Sequence, residues 1–190
     1  MHMSRVSRAP VCLLVLVLTG VVAWRPLTAR AQSAAAPLDK SAQYTIMPGR
    51  GIGALTLGTR MQDVIAILGA PVSTWTFLDG RRVYRWFQPP SNSGVGVGTD
   101  ATGLVDRIWV LNDPRYRTTA GIHAGATEEQ VVRMMGRPTG SVVDAAGHLR
   151  KLFYAANGVW FSVQLDQRYA FYNQVFEIGV TAPAESLVRR

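Results

Sequence analysis

One pattern occurs twice in this chain, and it restricts the fold more than anything else in the sequence. The first copy runs Leu55-x-x-Gly58-Thr59-x-x-Gln62-x-Val64-x-x-x-Leu68-Gly69-x-Pro71. The second runs Ile122-x-x-Gly125-Ala126-Thr127-x-x-Gln130-Val131-x-x-x-Met135-Gly136-x-Pro138. Placing Gly58 on Gly125, an offset of 67, also superposes Val64 on Val131, Leu68 on Met135, Gly69 on Gly136 and Pro71 on Pro138. Agreement across residues of such different chemistry indicates a tandem duplication. Each copy reads as a short helix. Thr59 and Thr127 suit a helix start, with Gln62 and Gln130 where a capping-box partner belongs. Met61, Val64, Ile65 and Leu68 recur at helical spacing, as do Val131, Met134 and Met135. Gly69 and Gly136 suit a C-cap, and the prolines two residues beyond forbid continuation.

Helices of about ten residues are marginal alone, so they must pack on something. After Pro71 come strand-like runs at 72–78, 81–88, 94–98 and 104–111; after Pro138 they come at 139–144, 148–155, 159–165 and 173–180. Asp79-Gly80 and Asn157-Gly158 are hairpin signals. The expected class is α+β: two tandem repeats, each a short helix followed by an antiparallel meander of about four strands, with the helices on one sheet face. The expected boundaries are 48–113 for the first repeat and 114–180 for the second, with a tail at 181–190.

The first 31 residues have another character. Four arginines, no acid and an uncharged run from Ala9 to Trp24 end at Ala29-Arg30-Ala31. The run is too short to span a bilayer and suits a signal peptide, 1–31, followed by a tether, 32–47, with no transmembrane segment after cleavage. The expected location is periplasmic or secreted. The formal charge of +8 falls by half on removal of the four arginines. That modest balance gives no reason to expect nucleic-acid binding. Cys12, the single cysteine, lies in the signal segment, so the remainder offers no disulfide, thiol nucleophile or thiolate ligand.

Nothing in the rest carries a catalytic signature. His123 and His148 lack a Gly-x-Ser-x-Gly elbow or a similar context, and no metal-ligand spacing is present. Asp79, Asp100, Asp144 and Asp166 sit where turns need them. Gly94-Val95-Gly96-Val97-Gly98 reads as a strand with a bare face that a large side chain can approach, not as a phosphate loop. No catalytic, metal or cofactor-binding residue is therefore expected, and no cofactor.

Arginines interleave with aromatics instead. Alternation turns Tyr84 and Trp86 inward, matching Leu152 and Tyr154. Arg81, Arg85, Arg107, Trp109, Lys151, Phe153 and Trp160 are left for the outer side. An exposed aromatic and basic face of several hundred Å² is the expected partner-binding surface, for a protein or a cell-envelope component. Two other readings are a small apolar or anionic ligand held between helices and sheet, and an unrecognised hydrolase built on His123 or His148.

The run from Gly121 to Pro138, Gly-Ile-His-Ala-Gly-Ala-Thr-Glu-Glu-Gln-Val-Val-Arg-Met-Met-Gly-Arg-Pro, resembles the helix start of the outer-membrane assembly lipoproteins of the BamE (SmpA/OmlA) type. Two such units in tandem are also similar to the secreted beta-lactamase inhibitor proteins. The resemblance implies a repeat fold with a protein-binding sheet face. Those lipoproteins are single units behind a lipobox and the inhibitors carry disulfides, and this chain has neither feature. Membership of an assembly machine and lactamase inhibition are not implied.

Overall fold

The computed structural model describes residues 42–88 and 93–184, all within one compact unit, Pro37–Arg190. The expected signal segment, most of the tether, residues 89–92 and residues 185–190 lie outside the described residues.

Strands β1 (Thr45–Met47), β2 (Gly51–Ile52) and β3 (Leu55–Thr56) precede helix α1 (Met61–Leu68). Strands β4 (Ser73–Thr76), β5 (Arg82–Gln88), β6 (Ser93–Thr99) and β7 (Val105–Leu111) follow it. After β8 (Arg117–Thr118) and α2 (Glu128–Met135) come β9 (Gly140–Val143), β10 (Leu149–Tyr154), β11 (Val159–Gln164) and β12 (Val175–Thr181). They build two sheets. The small one has the order β3-β2-β1-β8 and the large one β4-β5-β6-β7-β12-β11-β10-β9.

This corrects the expected fold class. The two meanders do not form separate helix-plus-four-strand units; β7 and β12 pair antiparallel, Ile108 opposite Val180 and Val110 opposite Ile178, giving one eight-stranded sheet. The short stretches before the helices leave the meanders and form the separate four-stranded sheet, in which β1 and β8 run parallel. The reason lies in the strand faces. Val105, Ile108 and Val110 on β7 and Val175, Ile178 and Val180 on β12 are buried in a single cluster. An edge at either strand would expose that apolar face and its unpaired amides to water, and joining the two edges removes both.

The same cluster holds Met61 and Val64 of α1, Val131 of α2, and Ile46, Ile52 and Leu55 of the small sheet. Phe161, at its centre, is fully buried and meets Tyr154 edge-to-face at 5.7 Å. The helices end alike. Gly69 and Gly136 cap them at φ of 78° and 80°, a region that favours glycine. Each cap carbonyl accepts a hydrogen bond from the sheet's inner face, from Trp86 Nε1 at 3.1 Å in one half and from Tyr154 OH at 3.0 Å in the other. The helix starts differ. Thr127 and Gln130 form the complete capping box. Thr59 does not cap α1: its hydroxyl bonds that of Thr56 at 2.6 Å, and the N-cap is Arg60, without a side-chain bond.

Candidate functional site: the outer face of the large sheet

The sheet face turned away from the helices is laid out by register. Cross-strand partners place Ser73, Arg85, Gly96, Trp109, Gly179, Trp160, Phe153 and Gly140 in one row across all eight strands. A neighbouring row runs Phe87, Gly94, Leu111, Glu177, Ser162, Lys151, Val142. The glycines decide where the large side chains go. Any side chain at Gly96 would collide with the Trp109 indole, and any at Gly179 with the indole of Trp160. Arg107 lies in the same way over Gly98. Trp109 therefore lies down over β6, and Trp160 over β12.

Laid flat, the indoles are not the exposed aromatic patch expected from sequence. Trp109 and Trp160 are only 9% and 8% exposed and form a second small core with Val83, flanked by Leu111. That expectation is corrected: the glycine trough that receives the rings also hides them.

What water meets is a shallow groove above them. A hollow of about 440 Å³ is lined by Phe77, Val83, Arg85, Phe87, Arg107, Trp109, Leu111, Lys151, Trp160 and Glu177. A hollow of about 400 Å³ shares Arg107, Lys151 and Trp160 with it and adds Asp106, Phe153 and Thr181. A third, about 480 Å³, shares Leu111 and adds His148, Leu149, Gln164, Tyr169, Phe171 and Phe176. Of the residues singled out from sequence, Arg85, Arg107, Trp109, Lys151 and Trp160 line one hollow, and Phe153 lines the next. Arg81 is not among them. It closes the β4–β5 hairpin, bonding Asp79 at 2.7 Å with its guanidinium 5.7 Å from the Phe77 ring centroid.

The cations of the groove differ in what they already hold. Lys151 Nζ lies 3.2 Å from Glu177 Oε1 and 5.2 Å from the Trp160 ring centroid. Trp160 Nε1 and the Ser162 hydroxyl donate to that same oxygen at 3.0 and 2.8 Å. Arg107 Nε is 3.6 Å from Asp106 Oδ1, an ion pair too long for a hydrogen bond. That buried oxygen has no hydrogen-bond donor among the described residues. Burial raises the Asp106 carboxyl above the usual range, and the charge of Arg107 offsets this in part. Arg85 packs its guanidinium 5.6 Å from the Phe87 ring centroid, and no carboxylate pairs with it among the described residues.

Two features escaped sequence reasoning. Trp75 is 67% exposed on β4, opposite Val83 and so on this outer face; its place between Thr74 and Thr76 in a run closed by Asp79-Gly80 was the available signal. Tyr169, Phe171 and Tyr172 are exposed together on the β11–β12 loop, which read only as a turn.

The histidines bond elsewhere. His123 Nδ1 lies 2.7 Å from the Ala124 carbonyl, and His148 Nε2 lies 3.7 Å from Asp166, whose carboxylate is bound by Arg168 at 2.6 Å. No serine or threonine hydroxyl bonds either ring among the described residues. Nor does any group of three His, Cys, Asp or Glu side chains there stand ready for a metal. No described helix is long and apolar enough to cross a membrane.

No family model and no curated protein matches this chain. Among solved structures it is similar to a cysteine-rich secretory protein from Staphylococcus aureus subsp. aureus Mu50, at 15% identity and TM-score 0.48 over 75% of this chain. It is also similar to a DUF4309 family protein from Bacillus subtilis, at 14% identity and TM-score 0.46 over 69% of this chain and 84% of that one. An extracellular protein containing a SCP domain from Bacillus anthracis str. Ames follows at 13% and 0.45, over 70% of this chain. The chain spans about half the length of the first and third, 49% and 46%. None of the three is described as an outer-membrane assembly lipoprotein or a lactamase inhibitor. The family likeness expected from the run Gly121–Pro138 and its tandem copy is therefore corrected: no match supports it. At these TM-scores nothing about those proteins transfers to this chain.

Proposed function

We propose that this chain is an exported, non-enzymatic binding protein that takes a small ligand in the groove on the outer face of its large sheet. The ligand carries one anionic group and an apolar body. The observation that carries this reading is Arg85: a guanidinium on the groove wall, unpaired with any carboxylate among the described residues, beside Phe87, Trp109 and Phe77. A carboxylate, sulfonate or phosphate can take two parallel N–H bonds from that fork. The apolar part then rests against the Trp109 edge and Phe87, displacing water from apolar surface. Lys151 is neutralised by Glu177 and Arg107 is offset by Asp106, so the groove calls for a single negative charge. Export is supported by the arginine-flanked apolar run and the Ala29-Arg30-Ala31 site.

The test is calorimetric titration with naphthoate, naphthalene sulfonate and the uncharged naphthalene methanol. The two anions are expected to bind and the alcohol to bind at least tenfold more weakly. Arg85→Gln should abolish that preference and Arg81→Gln should leave it intact. Equal binding of all three probes by the wild type would refute the anion site.

A second reading, a protein or cell-envelope component docking on the same face, is favoured by the half-exposed rings of Phe77 and Phe153 on opposite rims. Its check is capture from envelope extract by wild type beside a Phe77→Ala/Phe153→Ala variant. Equal recovery of every captured component would remove it.

A further inference from the structure

The β4 strand is an unprotected sheet edge whose sequence is nearly symmetric about one residue. It is the first strand of the eight-stranded order and, among the described residues, pairs only with β5. Natural edges are commonly blunted by a lysine, a proline or a bulge within the strand. From Val72 to Leu78 the chain reads Val-Ser-Thr-Trp-Thr-Phe-Leu, with no charge and no proline. All four residues of β4 are exposed. Of its flanking apolar side chains, Val72 and Leu78, each three residues from Trp75, are 70% and fully exposed, and Phe77, whose counterpart across Trp75 is Ser73, is exposed as well.

The backbone has the matching symmetry. Phe77 N–H donates to the Arg81 carbonyl at 2.8 Å, so its amide faces β5. Amides alternate along a strand, so within β4 those of Thr74 and Thr76 face outward, where no strand lies among the described residues; the alternation stops at Val72, whose amide donates to the Arg85 carbonyl at 2.8 Å. A second identical strand laid antiparallel about Trp75 brings Thr74 opposite Thr76 twice, and all the outward amide and carbonyl groups of both threonines are satisfied. Trp75 then faces Trp75 of the other copy at a non-hydrogen-bonded position, where opposing side chains come closest and aromatic pairs contribute most.

We propose that the chain self-associates through β4, two copies joining antiparallel about Trp75 to continue one sheet into the next. The pairing is isologous and closes at two copies, so it gives a dimer and not a fibre. The other edge, β9, lacks this symmetry: it reads Gly-Ser-Val-Val from Gly140 to Val143. A contact of about six residues falls at the low end of interface areas, so half-association is expected at roughly 10–100 μM.

Sedimentation velocity of the purified protein across roughly 5–500 μM tests this, with Thr76→Pro and Trp75→Lys alongside. Thr76→Pro deletes an outward N–H while leaving the β4–β5 ladder intact. Its thermal midpoint is expected to stay within about 3 °C of wild type. Trp75→Lys keeps every backbone group and restores the missing edge charge. The wild type is expected to pass from monomer to dimer over the series, and both variants to stay monomeric. A wild type that stays monomeric throughout, or a dimer that survives either variant, overturns the proposal.

Discussion

The two halves of the large sheet solve one packing problem with the same residues on opposite strands. In the β6–β7 pair the glycine is on β6 and the tryptophan on β7; in the β11–β12 pair the tryptophan is on β11 and the glycine on β12. Each half lays an indole over a glycine, and each has a bulge three residues earlier in the chain, at Asp106 before Trp109 and at Phe176 before Gly179. They diverge in charge. The second half closes its network: Glu177 accepts from Trp160, Ser162 and Lys151 at once. Among the described residues the first leaves Arg85 without a counter-ion, and the oxygen of Asp106 nearest Arg107 without a hydrogen bond. The large sheet thus carries one half whose polar groups are spent internally and one half with capacity left over, and the proposed ligand belongs to the second kind.

The equivalence of the two troughs gives the largest expected effect. Gly179→Val and Gly96→Val should each cost about 3 kcal/mol by overpacking, since the obstacle is a ring held against backbone. In a denaturation cycle Gly179→Val should couple with Trp160→Ala by about 1–3 kcal/mol and not with Trp109→Ala. Additive costs would mean that the glycines are not there for the rings.

The difference in polar closure should appear next. Trp160→Phe leaves Glu177 short of a donor, whereas the Trp109 indole N–H has no acceptor among the described residues. Trp160→Phe is therefore expected to cost about 1–2 kcal/mol more than Trp109→Phe in urea unfolding. Equal costs would show that the Glu177 network adds nothing. At the helix starts, Thr127→Ala should lower stability by about 1 kcal/mol, while Thr59→Ala, which removes no cap, should change it by a few tenths at most. The reverse order would undo the assignment of caps.

The smallest effects are pH slopes from two carboxylates of opposite sign. Asp113 is buried and held by Arg115 through bonds of 2.6–3.1 Å, which lower its carboxyl. Its contribution is present above the unfolded-state value and is lost as the pH falls through the depressed folded value. Asp113→Asn should flatten the acid limb of the stability curve below about pH 4. Asp106, raised by burial, works the other way: its contribution is present at low pH and lost as pH rises through the folded value. Asp106→Asn should slightly stabilise the protein at neutral pH, and a clear loss there would show that the charged form is held after all.

Local rules carried part of this structure. The Gly94–Gly98 alternation announced a bare strand face before any partner for it was known, because glycine at every second position has no other packing consequence. Inward Tyr84 and Trp86 followed from period-two alternation. The joining of β7 to β12 did not, since both meanders satisfy their local hydrogen bonds equally well as separate units; only the shared core of Val105, Ile108, Val175 and Ile178 selects the fusion. Burial of the indoles was also hidden, because it requires knowing that Gly179 lies between Trp109 and Trp160 across three strands. The Thr59 cap failed for a local reason: a neighbouring hydroxyl, Thr56, competes for its side chain.

The central claim, that the first half of the outer face holds the anion site, meets its most direct test in the indole N–H resonances. In ¹⁵N-labelled protein titrated with naphthoate, the Trp109 resonance, assigned by its loss in Trp109→Phe, should shift saturably. The Trp86 resonance, bonded to Gly69 on the inner face, should not move. Arg85→Gln should remove the shift. A saturable shift at Trp86 with none at Trp109, or a Trp109 shift that persists unchanged in Arg85→Gln, would contradict the account.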